Sequence, residues 1–145
     1  MYAASVLLLL GVFPLASIAI EKLALGSPAP LLALAGKWWA FWAAGLRLFL
    51  AGLRQATNPR FTSEKIFGFK TDEPLAAFRE LGFANLSMGT LGLASLWAPS
   101  WRTPAALVGG LYYLLAGVGH VLRGERNSTE NLALWSDLAV AAILL

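Results

Sequence analysis

Five apolar runs divide this 145-residue chain, at about 3–24, 31–54, 75–97, 104–123 and 129–145. With ~1.5 Å of rise per residue, each run reaches or approaches, as a helix, the ~30 Å of a bilayer's hydrocarbon core. The expected fold is an all-α membrane protein: one domain over residues 1–145, a bundle of five transmembrane helices with an inner-surface loop at 55–74. The fifth run is the shortest, and the sequence ends inside it, so four helices with a partly inserted tail stand as the alternative. Composition agrees, since 58% of residues are hydrophobic and 13% charged, against about 25% charged in an average soluble domain. Absence of cysteine excludes disulfides, thiolate metal sites and Cys nucleophiles. The first run has no basic flank before it and closes on Glu21-Lys22, so it reads as a retained helix rather than a secretory signal.

Basic residues give the orientation. Arg54, Arg60, Lys65, Lys70, Arg79, Arg123 and Arg126 fall on the side of the N-terminus; Lys22, Lys37 and Arg102 fall on the other. Because Lys and Arg accumulate in cytoplasmic loops, the N-terminus is expected in the cytoplasm and the protein multi-pass. Trp38, Trp39, Trp97 and Trp101 then lie at the outer helix ends, where an aromatic belt forms. In the 55–74 connection, Phe61, Ile66, Phe67 and Phe69 alternate with Arg60, Lys65 and Lys70. Two forms fit it: a segment lying on the inner membrane surface, or a folded cap over the helix ends.

Ionisable groups inside these runs are the main functional clue, because they are costly at membrane depth and so pair, line a cavity or do chemistry. In the second run Gly36, Ala40, Ala43, Arg47, Ala51 and Arg54 share one helical stripe; Trp38, Trp42, Leu46, Phe49 and Leu53 make the other face, toward lipid or a partner subunit. Gly82, Asn85, Gly89 and Gly92 form a comparable stripe in the third run, and Gly109, Tyr113, Gly117 and His120 in the fourth. Arg54 and Glu130 sit at the inner interface, with Arg47 and Asp137 seven residues deeper, about 10 Å along the axis. These ladders of opposite sign match if the second and fifth helices are neighbours, Arg47 meeting Asp137 and Arg54 meeting Glu130. The bland reading is that Arg47 snorkels to the interface.

Glu80, His120, Arg123, Arg126, Asn127, Glu130 and Asn131 gather around the same end. His120 and Tyr113 share a face and are the only catalytic candidates, a proton acceptor beside a proton donor. One histidine makes no metal site, and no cofactor is expected. Two functions from different classes follow. In one, the chain is a non-enzymatic accessory or oligomer-forming bundle, its charges an ionic clamp around which an anionic lipid could sit. In the other, the cluster lines a cytoplasm-facing pocket of a membrane enzyme that takes an anionic small molecule or lipid. The expected partners are the lipid bilayer, anionic lipid, and further copies or other subunits of a membrane complex; nothing suggests nucleic acid.

The run Arg79-Glu80-Leu81-Gly82-Phe83-Ala84-Asn85-Leu86, with Gly109-Gly110-Leu111-Tyr112, Ala116-Gly117-Val118-Gly119-His120, Arg126-Asn127, Glu130-Asn131 and Ser136-Asp137, resembles a family of small prokaryotic integral membrane proteins of unknown function. That resemblance covers most of the chain and implies a fold and a place in the inner membrane of a prokaryotic cell, but no activity. A second set, Arg123, Asn127, Glu130 and Asn131, is similar to the signature of the membrane-associated proteins of eicosanoid and glutathione metabolism. It would imply a glutathione-transferase-like enzyme whose carboxylate-binding cations are Arg123 and Arg126. In that family the motif opens the second of four helices, whereas here it opens the last run.

Overall fold

A computed structural model describes residues 2–124 and 126–145. Among them are six helices and no strand. We label these α1 (Tyr2–Ala24), α2 (31–57), α3 (Phe61–Ile66), α4 (Leu75–Ala94), α5 (Pro99–Leu122) and α6 (Ser128–Leu144). Two of them, α1 and α5, are long and apolar enough to cross a membrane. Large apolar side chains stand out from the bundle on most helices, among them Leu7, Leu23, Leu32, Leu115, Leu122 and Trp135, each more than 60% exposed.

Local chemistry sets the helix ends. Gly26, at φ +63°, follows α1, and Gly124, at φ +77°, follows α5. Both adopt the left-handed conformation that closes a helix with no Cβ penalty. Asn127 opens α6 by accepting the Glu130 amide N–H with its side chain at 2.9 Å, a standard N-cap. Pro30 precedes α2 and Pro74 precedes α4, positions where a missing N–H costs nothing.

Helix α1 carries its own break. Pro14 has no N–H to give the carbonyl of Leu10 four residues back, and the helix widens into a π turn at Leu8–Val12 just ahead of it. The indole N–H of buried Trp39 donates to that Leu10 carbonyl instead, at 3.0 Å. Two further indoles tie α2 to α1: Trp42 donates to Ser17 Oγ at 3.0 Å and Trp38 to Glu21 Oε2 at 2.7 Å, beside the Lys37–Glu21 ion pair at 2.7 Å. The face of α2 expected to meet lipid or a partner thus packs against α1 through Trp38 and Trp42. Their polar N–H groups decide it, since each finds an acceptor there.

A second π stretch, Ala40–Arg47, lies in the middle of α2. Its i→i+5 bonds widen the turn and shift the register of everything beyond it. Ala40 and Ala43 are buried as the stripe predicts, but Ala44 and Gly45 are buried inside the wide turn and, past it, Leu48, Gly52 and Gln55 rather than Ala51 and Arg54. That shifted face meets α4. A Cβ added at Gly45 would lie 2.8 Å from the Gly92 carbonyl carbon, and one at Gly82 would lie 2.6 Å from the Ala56 nitrogen. The α4 stripe Gly82, Asn85, Gly89 and Gly92 is buried throughout, so the two backbones run in close contact. On the other side of the bundle, α5 and α6 pack through Gly109, Gly110 and Gly117 against Leu144, Leu145 and Leu138.

The 55–74 connection is not a loop lying flat outside the bundle. Residues to Thr57 continue α2, and α3 tucks inward with Thr62 and Ser63 buried. Phe67 stacks on Phe69 and both meet the tilted ring of Phe78, and the exposed Arg60 is held by Glu64 at 3.4 Å and Asp72 at 2.5 Å. The segment packs over the helix ends in the manner of a cap. The carboxylate of Asp72, with a smaller contribution from Glu64, holds the Arg60 guanidinium above its ordinary pKa.

Candidate functional site

Beneath this cap lies a cavity of about 630 Å³ at the end of the bundle where α1 begins and α2 ends. Its size falls within the ~300–1,000 Å³ common for small-ligand sites. Most of the wall is apolar: Val6 and Leu9 from α1, Leu48 and Leu50 from α2, Leu81 from α4, Leu115 from α5. Arg47, Arg54, Arg123, His120, Asn85 and Asp137 are among its polar groups.

Arg47 and Asp137 face each other from α2 and α6, Nη2 to Oδ1, at 3.7 Å. This is ion-pair contact but beyond hydrogen-bond range. Arg47 also donates weakly to the Tyr113 hydroxyl at 3.4 Å and lies over that ring, its guanidinium carbon 5.5 Å from the centroid. Tyr113, fully buried, donates in turn to the Ala43 carbonyl at 2.8 Å, inside the π stretch of α2. The first rung of the ladder therefore forms.

The second rung does not. Glu130, 2% exposed, is bound by His120 Nδ1 at 3.0 Å and Arg123 Nε at 3.3 Å. Both partners come from the end of α5, the immediate neighbour of α6, and they reach Glu130 before Arg54 can. Arg54 instead sits at the cavity wall with its guanidinium stacked 3.4 Å from the Phe61 ring centroid, and no carboxylate among the described residues lies within ion-pair distance of it.

Several candidates have structural duties. Arg126 donates to the carbonyls of His120 at 2.8 Å and Val121 at 3.2 Å, and to Asn131 Oδ1 at 3.1 Å. It thus caps the C-terminal end of α5, where a cation is favoured. Asn127, besides capping α6, donates to the Ile66 carbonyl at 3.0 Å, and Arg123 donates to the Phe67 carbonyl at 2.9 Å. Together they pin the cap to the α5–α6 turn. Glu80 is exposed on α4 and takes no part in the cavity wall. Tyr113 is likewise outside the wall, so the proposed donor–acceptor pair with His120 is not brought together there; the neighbouring Tyr112 lines the cavity instead.

Sequence reasoning missed Tyr2, Gln55, Phe61, Phe67 and Tyr112 in this wall. Gln55 carried a legible signal, being a polar residue inside an apolar run; it accepts from Asn85 Nδ2 at 2.7 Å across the α2–α4 contact. Two lining residues, Asp137 and Asn85, each have an enclosed Oδ1 with no hydrogen-bond donor among the described residues. Such groups are uncommon in native interiors, where buried polar atoms find partners.

A family model described as a family of unknown function, DUF6790, matches residues 1–145. The chain belongs to that family. No curated protein and no solved structure matches it. Membership agrees with the first resemblance in being to a family of unknown function that covers the chain; it carries neither the membrane nor the prokaryotic part of that resemblance, and brings no activity with it.

Proposed function

We propose that the chain is a multi-pass inner-membrane protein, its N-terminus cytoplasmic and α1, α2, α4, α5 and α6 spanning, that binds an anionic amphiphile in the cavity under the cap. Binding without chemical conversion is the reading we favour. One observation carries it: an apolar-walled cavity of about 630 Å³ presents Arg54 at its surface with no carboxylate to neutralise it among the described residues. Apolar walls with one or two placed cations are what an anionic head on a hydrocarbon body requires. The Arg47–Asp137 pair fixes α2 against α6 at the cavity's inner end and leaves the volume open, so clamp and pocket coexist.

The membrane reading is supported by the many large apolar side chains exposed around the bundle, Leu and Trp among them. It is also supported by the basic residues concentrated at the capped end. Against conversion stand two contacts: Tyr113 is committed to the Ala43 carbonyl away from the cavity, and His120 Nδ1 is engaged by Glu130. Self-association or membership of a larger complex is compatible with this reading and is carried by no contact within the chain.

Topology is tested with single cysteines at Ser27 and Thr71, since the chain has none of its own. A membrane-impermeant maleimide should label Ser27→Cys on intact cells and Thr71→Cys only after lysis. Binding is tested by native mass spectrometry of the detergent-purified protein with dioleoyl phosphatidic acid. Occupancy should fall in Arg54→Gln, and equal occupancy in both proteins would overturn the binding proposal.

A further inference from the structure

From their contact at Ala44 and Gly109, where a Cβ added to the glycine would collide with Ala44 Cβ, α2 and α5 run toward the capped end with the cavity between them. Arg47, Leu50 and Arg54 line it from α2, and Tyr112, Leu115 and Gly119 from α5. The α2–α4 and α5–α6 seams are closed by contacts at their glycines. The α5 face that carries Leu115 and Gly119 is uncovered: Leu115 is 69% exposed, Gly119 is exposed, and a Cβ added to that glycine would meet nothing within 4 Å. The same residues thus belong to the cavity wall and to the outside of the bundle. At the capped end the chain itself covers the cavity, with Ile66 and Phe67 in the wall and their carbonyls held by Asn127 and Arg123 at 3.0 and 2.9 Å.

Resting on the binding reading above, we propose that the cavity takes its ligand sideways from the bilayer. The ligand is an acyl-chain lipid of the inner leaflet, its anionic head at Arg54 and a chain laid along the Leu115–Gly119 flank of α5. Depth argues for it. Leu115 lies eight residues before Arg123, about 12 Å along the axis from the capped end, which is inside the ~30 Å hydrocarbon core of a bilayer that α5 spans. An apolar flank at that depth is met by hydrocarbon, since the core holds no water. Head and chain fall in the order a leaflet gives them: Arg54 lies three residues from the end of α2 at Thr57, and Leu50, also in the wall, is one turn deeper. One acyl chain reaches through half of a ~30 Å core, so Arg54 and Leu115 need not be close to serve one lipid. A water-soluble anion with the same head would leave the flank without an occupant.

The test fills the flank. A helical side chain leans back over the turn before it, so Gly119→Trp lays an indole over Leu115 and Ala116. Binding of dioleoyl phosphatidic acid to the intact, delipidated protein in detergent is followed by native mass spectrometry, with glycerol phosphate, the same head without its chains, as competitor. We expect Gly119→Trp to weaken lipid binding by about tenfold or more, the effect of forcing two bulky groups into one space. Gly36→Trp, equally free of neighbours at its added carbon and outside the cavity wall, should bind as the unaltered protein does, and glycerol phosphate should not displace the lipid. If Gly119→Trp fails to fold, Gly119→Leu takes its place with the same expected direction. Undiminished binding in the Gly119 variant, an equal loss in Gly36→Trp, or displacement by glycerol phosphate, each with binding still lost in Arg54→Gln, would overturn the lateral site and leave the anionic-ligand reading standing. Binding indifferent to Arg54→Gln would overturn both.

Discussion

Replacing Arg47 by methionine while keeping Asp137 removes the only cation within ion-pair distance of that buried carboxylate among the described residues. At the observed 3.7 Å and an effective dielectric of ~20, the gross attraction is about 4.5 kcal/mol. Both side chains are largely withdrawn from solvent, 14% and 8% exposed, so screening takes little of it. Breaking one side of a buried pair typically costs about 3–5 kcal/mol, because the other charge is left uncompensated. Arg47→Met should therefore destabilise the bundle by about 3–5 kcal/mol in a detergent-unfolding titration. The double variant Arg47→Met with Asp137→Leu removes both charges, leaves the Tyr113–Ala43 hydrogen bond in place, and should recover most of that loss. The reasoning predicts a coupling energy of about 3 kcal/mol between the two sites. A double variant as unstable as the sum of the singles, coupling below about 0.5 kcal/mol, would show that the pair contributes nothing as a pair.

Trp39→Phe strips the donor from the Leu10 carbonyl that Pro14 leaves without its helical N–H. Pro14→Ala restores that N–H, so the double variant should be more stable than the sum of the singles by about 0.6–1.7 kcal/mol in the same assay; simple additivity would refute the role given to the indole. At the α2–α4 contact, Gly92→Val has nowhere to place its side chain against Gly45 and should abolish the folded state or cost more than about 3 kcal/mol. Gly36→Ala, with nothing within 4 Å of the added carbon, should be neutral or stabilise the helix by about 0.5–1 kcal/mol. Asn127→Ala loses the α6 cap and the bond to the Ile66 carbonyl; it should cost about 1–2 kcal/mol and raise proteolysis in the 67–74 segment before the rest of the chain.

The helical runs and the polar cluster at one end were legible in the sequence because both are short-range properties. Apolar runs of membrane length specify helices wherever they fold, and a costly charge inside such a run demands a partner. The α4 glycine stripe was legible for the same reason, since regular α spacing held there. The corresponding stripe on α2 was not. The π stretch Ala40–Arg47 changes the period in mid-helix, and no residue in that stretch announces it. The Arg54–Glu130 rung failed for another reason. Matching depth along two helices leaves open which neighbour arrives first, and His120 and Arg123, one short turn from α6, hold Glu130.

Sequence alone thus determined that this chain is built of helices and that Arg47, inside an apolar run, needs Asp137 or something like it. Only the tertiary structure decided that the 55–74 connection folds back as a cap, that Tyr112 rather than Tyr113 faces the cavity, and that Arg54 is left at its wall beside Phe61. Those outcomes depend on which faces meet after the wide turn of α2 and on how closely Gly45, Gly52, Gly82 and Gly92 let two backbones approach. Helix formation answers to neighbours in the chain, but the cavity answers to the packing of residues that the sequence keeps far apart.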